Sequence, residues 1–235
     1  MGHVGIYRAD TSLRDREDLN KLRIAMHNDG CCGYTEFLKL HVYSMVEHEL
    51  GVHLDFDSLL LQPMDDLFDA MLAKGNEVDQ RKLSIAHLPK SNNVDFRRTI
   101  DAAFTRDYNS VKNPSTEASV GFQGGFLVVR PSLEVLERYR DILRRGNFLV
   151  GPRGGWDGKI GGFYGDLTFQ GILPYYYEIV APRGFHNEVE LNRCVFNQMG
   201  DNPRKSTYKF PRATPIDAQK MASSSSGDEE AKCQI

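Results

Sequence analysis

The sequence predicts a single-domain α/β fold, with a mostly parallel central sheet flanked by helices, on three observations. Short apolar runs of strand length alternate with longer segments of helical periodicity. A chain of 235 residues, 40% hydrophobic and 26% charged, has the make-up of one ordinary globular domain with a sizeable core. No internal repeat is visible and nothing marks a second core. In such a sheet, ligands bind outside the carboxyl ends of the strands.

The elements follow in order. Residues 1–29 form an atypical lead, in which Val4–Tyr7 reads as a candidate strand and Leu13–Met26 as a charged helix. From Glu36 onward, Phe37, Leu40, Val42, Tyr43 and Val46 recur at helical spacing and predict an amphipathic helix ending near Leu50-Gly51. Gly51–Pro63 then reads as extended. Pro63 stops that segment, and Asp65 is expected to cap a helix over Asp66–Ala73 by accepting from its free backbone amides. Leu83–His87 suggests a short strand, and 92–119 mixes a helix over Phe96–Thr105 with a polar Asn/Ser/Pro loop. Phe122–Ser132 reads as a strand and Leu133 to about Arg145 as a helix. Gly151–Gly165 holds seven glycines, Pro152 and the only tryptophan, Trp156, which predicts an irregular loop. Asp166–Tyr177 reads as a helix that Pro174 kinks or ends, with Tyr175, Tyr176 and Tyr177 packing rather than binding a ligand. The domain is placed at 30–212. Beyond it, 213–235 is a Ser-rich, acidic tail too polar to bury a core, and disorder is expected there.

The formal charge of −3, with no Lys/Arg stripe and interleaved aromatics, argues against a nucleic-acid partner. No run of about eighteen apolar residues could span a membrane, and the first twenty residues lack the apolar centre of a secretory signal. The chain as given reads as soluble, in the cytoplasm, or in the Golgi lumen if a leading targeting segment is missing. Cys31, Cys32, Cys194 and Cys233 lack the paired spacing of a structural zinc site. Buried thiols are the commonest reading, and pairing of Cys194 with Cys31 or Cys32 stays open in an oxidising compartment.

The chemistry-bearing segment is Gly51–Pro63, where Asp55 and Asp57 stand between two apolar runs. In an extended segment side chains alternate faces, so both carboxylates would point one way and Phe56 the other. Two such carboxylates can share a hard divalent cation, Mn²⁺ or Mg²⁺, that keeps positions open for phosphate oxygens. A surface turn with two solvated aspartates is the bland alternative.

Three blocks carry a family resemblance. Tyr34–Leu40, the helix after it, the Asp-x-Asp and Leu59–Phe68 form the first; Phe122–Ser132 with its helix forms the second; Phe169–Leu173 forms the third. Taken in this order, 30–177 resembles the glycogenin-like family 8 glycosyltransferases. The resemblance implies a GT-A-like fold and a hexosyltransferase using a nucleotide-sugar donor, usually a UDP-sugar, with Mn²⁺ between the Asp-x-Asp carboxylates and the diphosphate. It puts Asp55 and Asp57 on the metal and Leu54, Asp55, Phe56 and Gly125 at the donor. It puts Lys39 near the donor phosphates, Gln123 where the family has a sugar-facing asparagine, and Gln170 at the glutamine of Asp-Gln-Gly. The acceptor, carbohydrate or protein, is left open.

Several positions depart from the family. Phe169 replaces the aspartate of Asp-Gln-Gly. Asp166, one helical turn before Gln170, is expected to converge with it on the sugar, with a helix cap as its competing role. The family's histidine before Lys-Pro-Trp has no match, and His186 is the candidate replacement as third metal ligand, although a loop histidine is usually solvated. Only 54 residues precede Asp55, room for one of the two strand-helix-strand units of a nucleotide-binding half. The resemblance therefore implies a chain shortened at its front, and a non-catalytic glycosyltransferase-like binding module is the alternative function. An aspartate-nucleophile phosphatase is the remote one, since it needs further partners and leaves the Leu61–Phe68 continuation and the Phe122–Gly125 strand unexplained.

Overall fold

The computed structural model describes residues 24–27, 32–73, 98–106, 121–151, 154–181, 187–192 and 196–197. The candidate strands at Val4–Tyr7 and Leu83–His87, the tail, His186, Cys31, Cys194 and Cys233 lie outside them. Within them, helix and strand alternate around a four-stranded sheet built from β1 (Gly51–Leu54), β2 (Ala102–Arg106), β3 (Phe122–Val129) and β6 (Glu188–Glu190), in the order β1-β3-β2-β6. A two-residue pairing of β4 (Phe148–Leu149) with β5 (Gly155–Trp156) stands apart.

The α/β class holds, but the sheet is mixed rather than mostly parallel. β3 runs antiparallel to both β1 and β2, and only β2 and β6 pair in parallel. Part of the reason lies at Phe96–Thr105, read from sequence as helical. Residues 102–106 are strand, with Ala102, Ala103 and Phe104 buried, because pairing on both edges outweighs local propensity.

β3 is the central strand and is buried along nearly all its length, as a strand covered on both faces must be. One face carries Ala102, Phe104, Leu127 and Val129 beneath a 3₁₀ helix at Gly33–Ser44, helix α2 (Leu133–Arg145) and helix α3 (Phe169–Tyr175). The other carries Ala103, Phe126, Val128 and Val189 against helix α1 (Asp65–Leu72) through Leu67, Ala70 and Met71.

The helix expected to reach Leu50 ends at Ser44 and is wound as 3₁₀ throughout. Its apolar positions are nonetheless the expected ones, Phe37, Leu40, Val42 and Tyr43 being buried, whereas Val46 is 52% exposed beyond its end. Asp65 does not cap α1: Met64 occupies that position, and Asp65 and Asp66 lie in the first turn, where their charge favours the positive end of the helix dipole. α2 matches its sequence reading. Ser132 accepts from the Val135 amide at its start, and Gly146 at φ 63° ends it in the left-handed conformation that glycine tolerates. Proline inside α3 removes a backbone donor, and the chain continues past Tyr175 as a π-helical turn, Tyr176–Val180. The three tyrosines are buried as expected, and the Tyr177 and Tyr43 hydroxyls lie 2.9 Å apart.

Candidate functional site

Residues from all three sequence blocks meet at the Asp55 end of β1. Asp55 follows the strand directly, its amide donating to the Gly125 carbonyl at 3.0 Å and so extending the β1–β3 ladder by one residue. The chain then turns, with the Ser58 amide donating back to the Asp55 carbonyl at 2.9 Å. Phe56 and Asp57 therefore occupy the middle of a β-turn, and the extended geometry expected to aim Asp55 and Asp57 the same way is absent. Asp57 is exposed, and Phe56 projects fully into solvent. Leu54 packs into the second core cluster, on the far side of β1 from Asp55.

Asp55 is held by two partners. Lys39, from the 3₁₀ helix, approaches both carboxylate oxygens at 2.9 and 3.1 Å, and His53 Nε2 lies 2.9 Å from Oδ1. Burial alone would raise the Asp55 pKa, but the bonds from His53 and Lys39 outweigh it and hold the carboxyl below its ordinary value. Lys39 also contacts Glu36 Oε2 at 2.6 Å and donates to the Gly124 carbonyl at 3.1 Å. An ammonium has three hydrogens, so Glu36, Asp55 and Gly124 use its full donor capacity. Burial works against the charged amine, yet the two carboxylates raise its pKa above the ordinary lysine value.

A β-bulge opens the floor of this cluster. Phe104 pairs with Leu127 and Arg106 with Phe122, so two steps along β2 are matched by five along β3. The extra residues include Gly124 and Gly125, and Gln123 folds back across them to accept from the Gly125 amide. A Cβ on Gly125 would lie 3.0 Å from Gln123 Oε1 and 3.3 Å from Asp55 Oδ2. One on Gly124 would lie 3.2 Å from Gln170 Cγ and 3.6 Å from Lys39 Nζ. The two buried glycines thus let side chains from four elements close in on the β3 backbone.

Lys39, Asp55, Gln123 and Gly125 lie together, and Gln170 reaches them through its Cγ while its amide oxygen faces Gly165. Leu54, Phe56 and Asp57 are adjacent to the site in sequence but do not turn their side chains toward its centre. Asp166 is not on α3, which begins at Phe169 after Thr168, so the helical spacing expected to align it with Gln170 does not exist. It is 5% exposed, and its Oδ2 accepts from the Gly162 amide at 2.7 Å, fastening the glycine-rich segment. Phe169 is fully buried, with Lys39 5.7 Å and His53 6.0 Å from its ring centre.

Sequence reasoning passed over three contributors. His53 was legible as the residue two before Asp55, hence on the same side of β1. Glu36 was legible as the residue one helical turn before Lys39. Asn197, whose Nδ2 donates to Gln123 Oε1 at 2.7 Å and Thr105 Oγ1 at 3.3 Å, gave no local signal.

Among the described residues, no group of three His, Cys, Asp or Glu side chains converges as a metal cage. The donor set nonetheless suits a hard cation in one respect. Mg²⁺ or Mn²⁺ is commonly held by one or two carboxylates while phosphate and water complete the shell, and Asp55 is the carboxylate of this cluster that keeps partial exposure. Asp55 is already paired with Lys39 and His53, and Asp57 lies exposed in the turn beyond it, so the expected sharing of a cation by the two carboxylates has no preformed geometry here. Comparison with protein-family models, curated proteins and solved structures finds no match to this chain.

Proposed function

We propose that the chain is a hexosyltransferase-type domain whose site binds a nucleotide-sugar donor, a UDP-sugar in the first instance. The observation that carries this reading is the meeting of Lys39, Asp55, Gln123, Gly125 and Gln170, drawn from three separated motifs, around two glycines in a bulge. A random scatter of family-like residues would not be expected to converge on one place.

In this reading Lys39 fixes the Asp55 carboxylate and the bulge backbone in one geometry, which lowers the ordering cost of binding. Gln123 and Gln170 supply amides for sugar hydroxyls, and the glycines let the donor approach the strand. An accompanying Mn²⁺ or Mg²⁺ would supply charge neutralisation of the departing diphosphate. The local excess of carboxylate would make that cation necessary, since a bare diphosphate would be repelled.

Calorimetric titration of UDP into the purified chain, with Mn²⁺ and then with EDTA, tests the reading. Binding that needs Mn²⁺ and weakens at least tenfold in Asp55→Asn is expected, whereas equal binding by wild type and variant, or none by a folded chain, would overturn it.

A second reading, donor binding without transfer, is favoured by one observation. Phe169 fills the core where the resembling family carries an aspartate, and the Asp166 carboxylate accepts from the Gly162 amide. Release of UDP from UDP-glucose, with water or sugar acceptors, separates the two: turnover supports the transferase, and tight binding with no release supports the binding module.

A further inference from the structure

Phe56–Leu61 runs over the surface with its large apolar side chains exposed. Phe56 is fully exposed, and Leu59, Leu60 and Leu61 are 79%, 54% and 82% exposed. None of the four joins either core cluster, although their neighbours Leu54, Met64 and Phe68 pack against one of them. Among the described residues, eight of the fourteen exposed large hydrophobic side chains fall between Met45 and Leu72. Single apolar residues are ordinary on a surface, but a continuous run marks a place where something docks.

The charge around the run decides what can dock. Residues 40–73 hold seven carboxylates and no lysine or arginine, with Asp57 inside the run and Asp65 just beyond it. All seven except Asp55 are exposed. Two copies placed with this surface against itself would oppose like charges, and the anionic face of a membrane would repel it in the same way. The complement it requires is both apolar and basic.

Such a surface lies elsewhere on the same molecule. Outside Met45–Leu72, Leu149 and Val150 are the one adjacent pair of exposed large hydrophobics among the described residues, at 62% and 87%. They follow the basic last turn of α2, Arg144 and Arg145, and residues 142–156 contain three arginines and no carboxylate. Arg144 is engaged by Asp141 at 2.8 Å on the helix itself, whereas Arg145 is exposed and makes no ion pair among the described residues.

We infer that Phe56–Leu61, with its acidic flanks, docks the Arg144–Val150 corner of a second copy of this chain, so that copies associate head to tail. The two surfaces differ, so each added copy leaves one of each kind free, and the contact repeats into a ring or an open chain instead of stopping at a two-fold dimer. Apolar burial supplies the attraction, and the opposite charges set the pairing and make it salt-sensitive. With few residues on each side, the contact belongs to the weak, transient class of interfaces. It does not depend on the donor reading.

Sedimentation equilibrium of the full chain at low salt, from about 10 µM to about 1 mM, tests the association. The weight-average mass is expected to rise with concentration and to fall toward the monomer in about 0.5 M salt. Leu59→Ser with Leu61→Ser on one surface, and Leu149→Ser with Val150→Ser on the other, are each expected to weaken association by about tenfold. Charge reversal fixes the pairing. Asp57→Lys with Asp65→Lys, and Arg144→Glu with Arg145→Glu, are each expected to be monomeric alone, while an equimolar mixture of the two, both folded by circular dichroism, regains association. A wild type that stays monomeric throughout would overturn the inference. Association that either pair of serine substitutions leaves intact would overturn it too, since both surfaces must take part, and so would a charge-reversed mixture that remains monomeric.

Discussion

Replacing Lys39 with methionine removes the charge while keeping an unbranched apolar stem of similar length. Three contacts go: to Glu36, to Asp55 and to the Gly124 carbonyl. Their weights differ because their exposures differ. The Asp55 side chain is 34% exposed and can recover hydration, so its loss counts for little, whereas the Glu36 side chain is 10% exposed and is left as a charge near the core. Stranding a buried charge costs about 3–5 kcal/mol. The loss of the Gly124 bond adds about 1 kcal/mol. Lys39→Met is therefore expected to lose roughly 4–6 kcal/mol at pH 7, read from urea unfolding followed by circular dichroism with an unchanged slope. Adding Glu36→Gln removes the stranded charge and is expected to restore about 2 kcal/mol at pH 7. A single variant that loses under about 1 kcal/mol at pH 7, or a double variant no more stable than the single, would refute the assignment of Lys39 as the pin of this cluster.

Three further outcomes are expected. Burial first, and then the nearby charges of Glu178 and Asp101, raise the Glu188 pKa to about 7, so the folded state holds a proton there that the unfolded chain releases above its ordinary value of 4.5. Its burden on stability is absent below about 4.5 and complete above about 7; Glu188→Gln should stabilise by roughly 2 kcal/mol at pH 8 and not at pH 4.5, checked by the pH dependence of the urea midpoint. Asp166→Ala should cost about 2 kcal/mol by freeing the Gly162 amide in a buried place, while UDP affinity of the folded fraction stays unchanged; a selective loss of UDP-glucose binding would instead return Asp166 to the sugar. Gly171→Ala should prevent accumulation of soluble protein, because its Cβ would lie 1.8 Å from the Asp166 carbonyl, whereas Gly124→Ala, 3.2 Å from the flexible Gln170 Cγ, should fold, as solubility and thermal melts would report.

What the sequence determined by itself is local. Ser132, the apolar spacing of Val135, Leu136, Tyr139 and Ile142, and Gly146 specify α2 from start to stop, since caps and periodicity are encoded within one element. The apolar positions of the Gly33–Ser44 helix and the glycine-rich character of 151–165 were legible for the same reason, as was the motif order that singled out Lys39, Asp55, Gln123, Gly125 and Gln170. Tertiary structure decided the rest. Residues 102–106 became strand because β3 and β6 flank them, and the sheet became mixed because strand direction depends on partners distant in sequence. The turn after Asp55 withdrew Asp57 from its expected alignment, and the start of α3 at Phe169 left Asp166 to the Gly162 amide. Asn197 reaches Gln123 across 74 positions of chain, a contact that no local pattern encodes because it depends on how β2 and the bulge of β3 are set side by side.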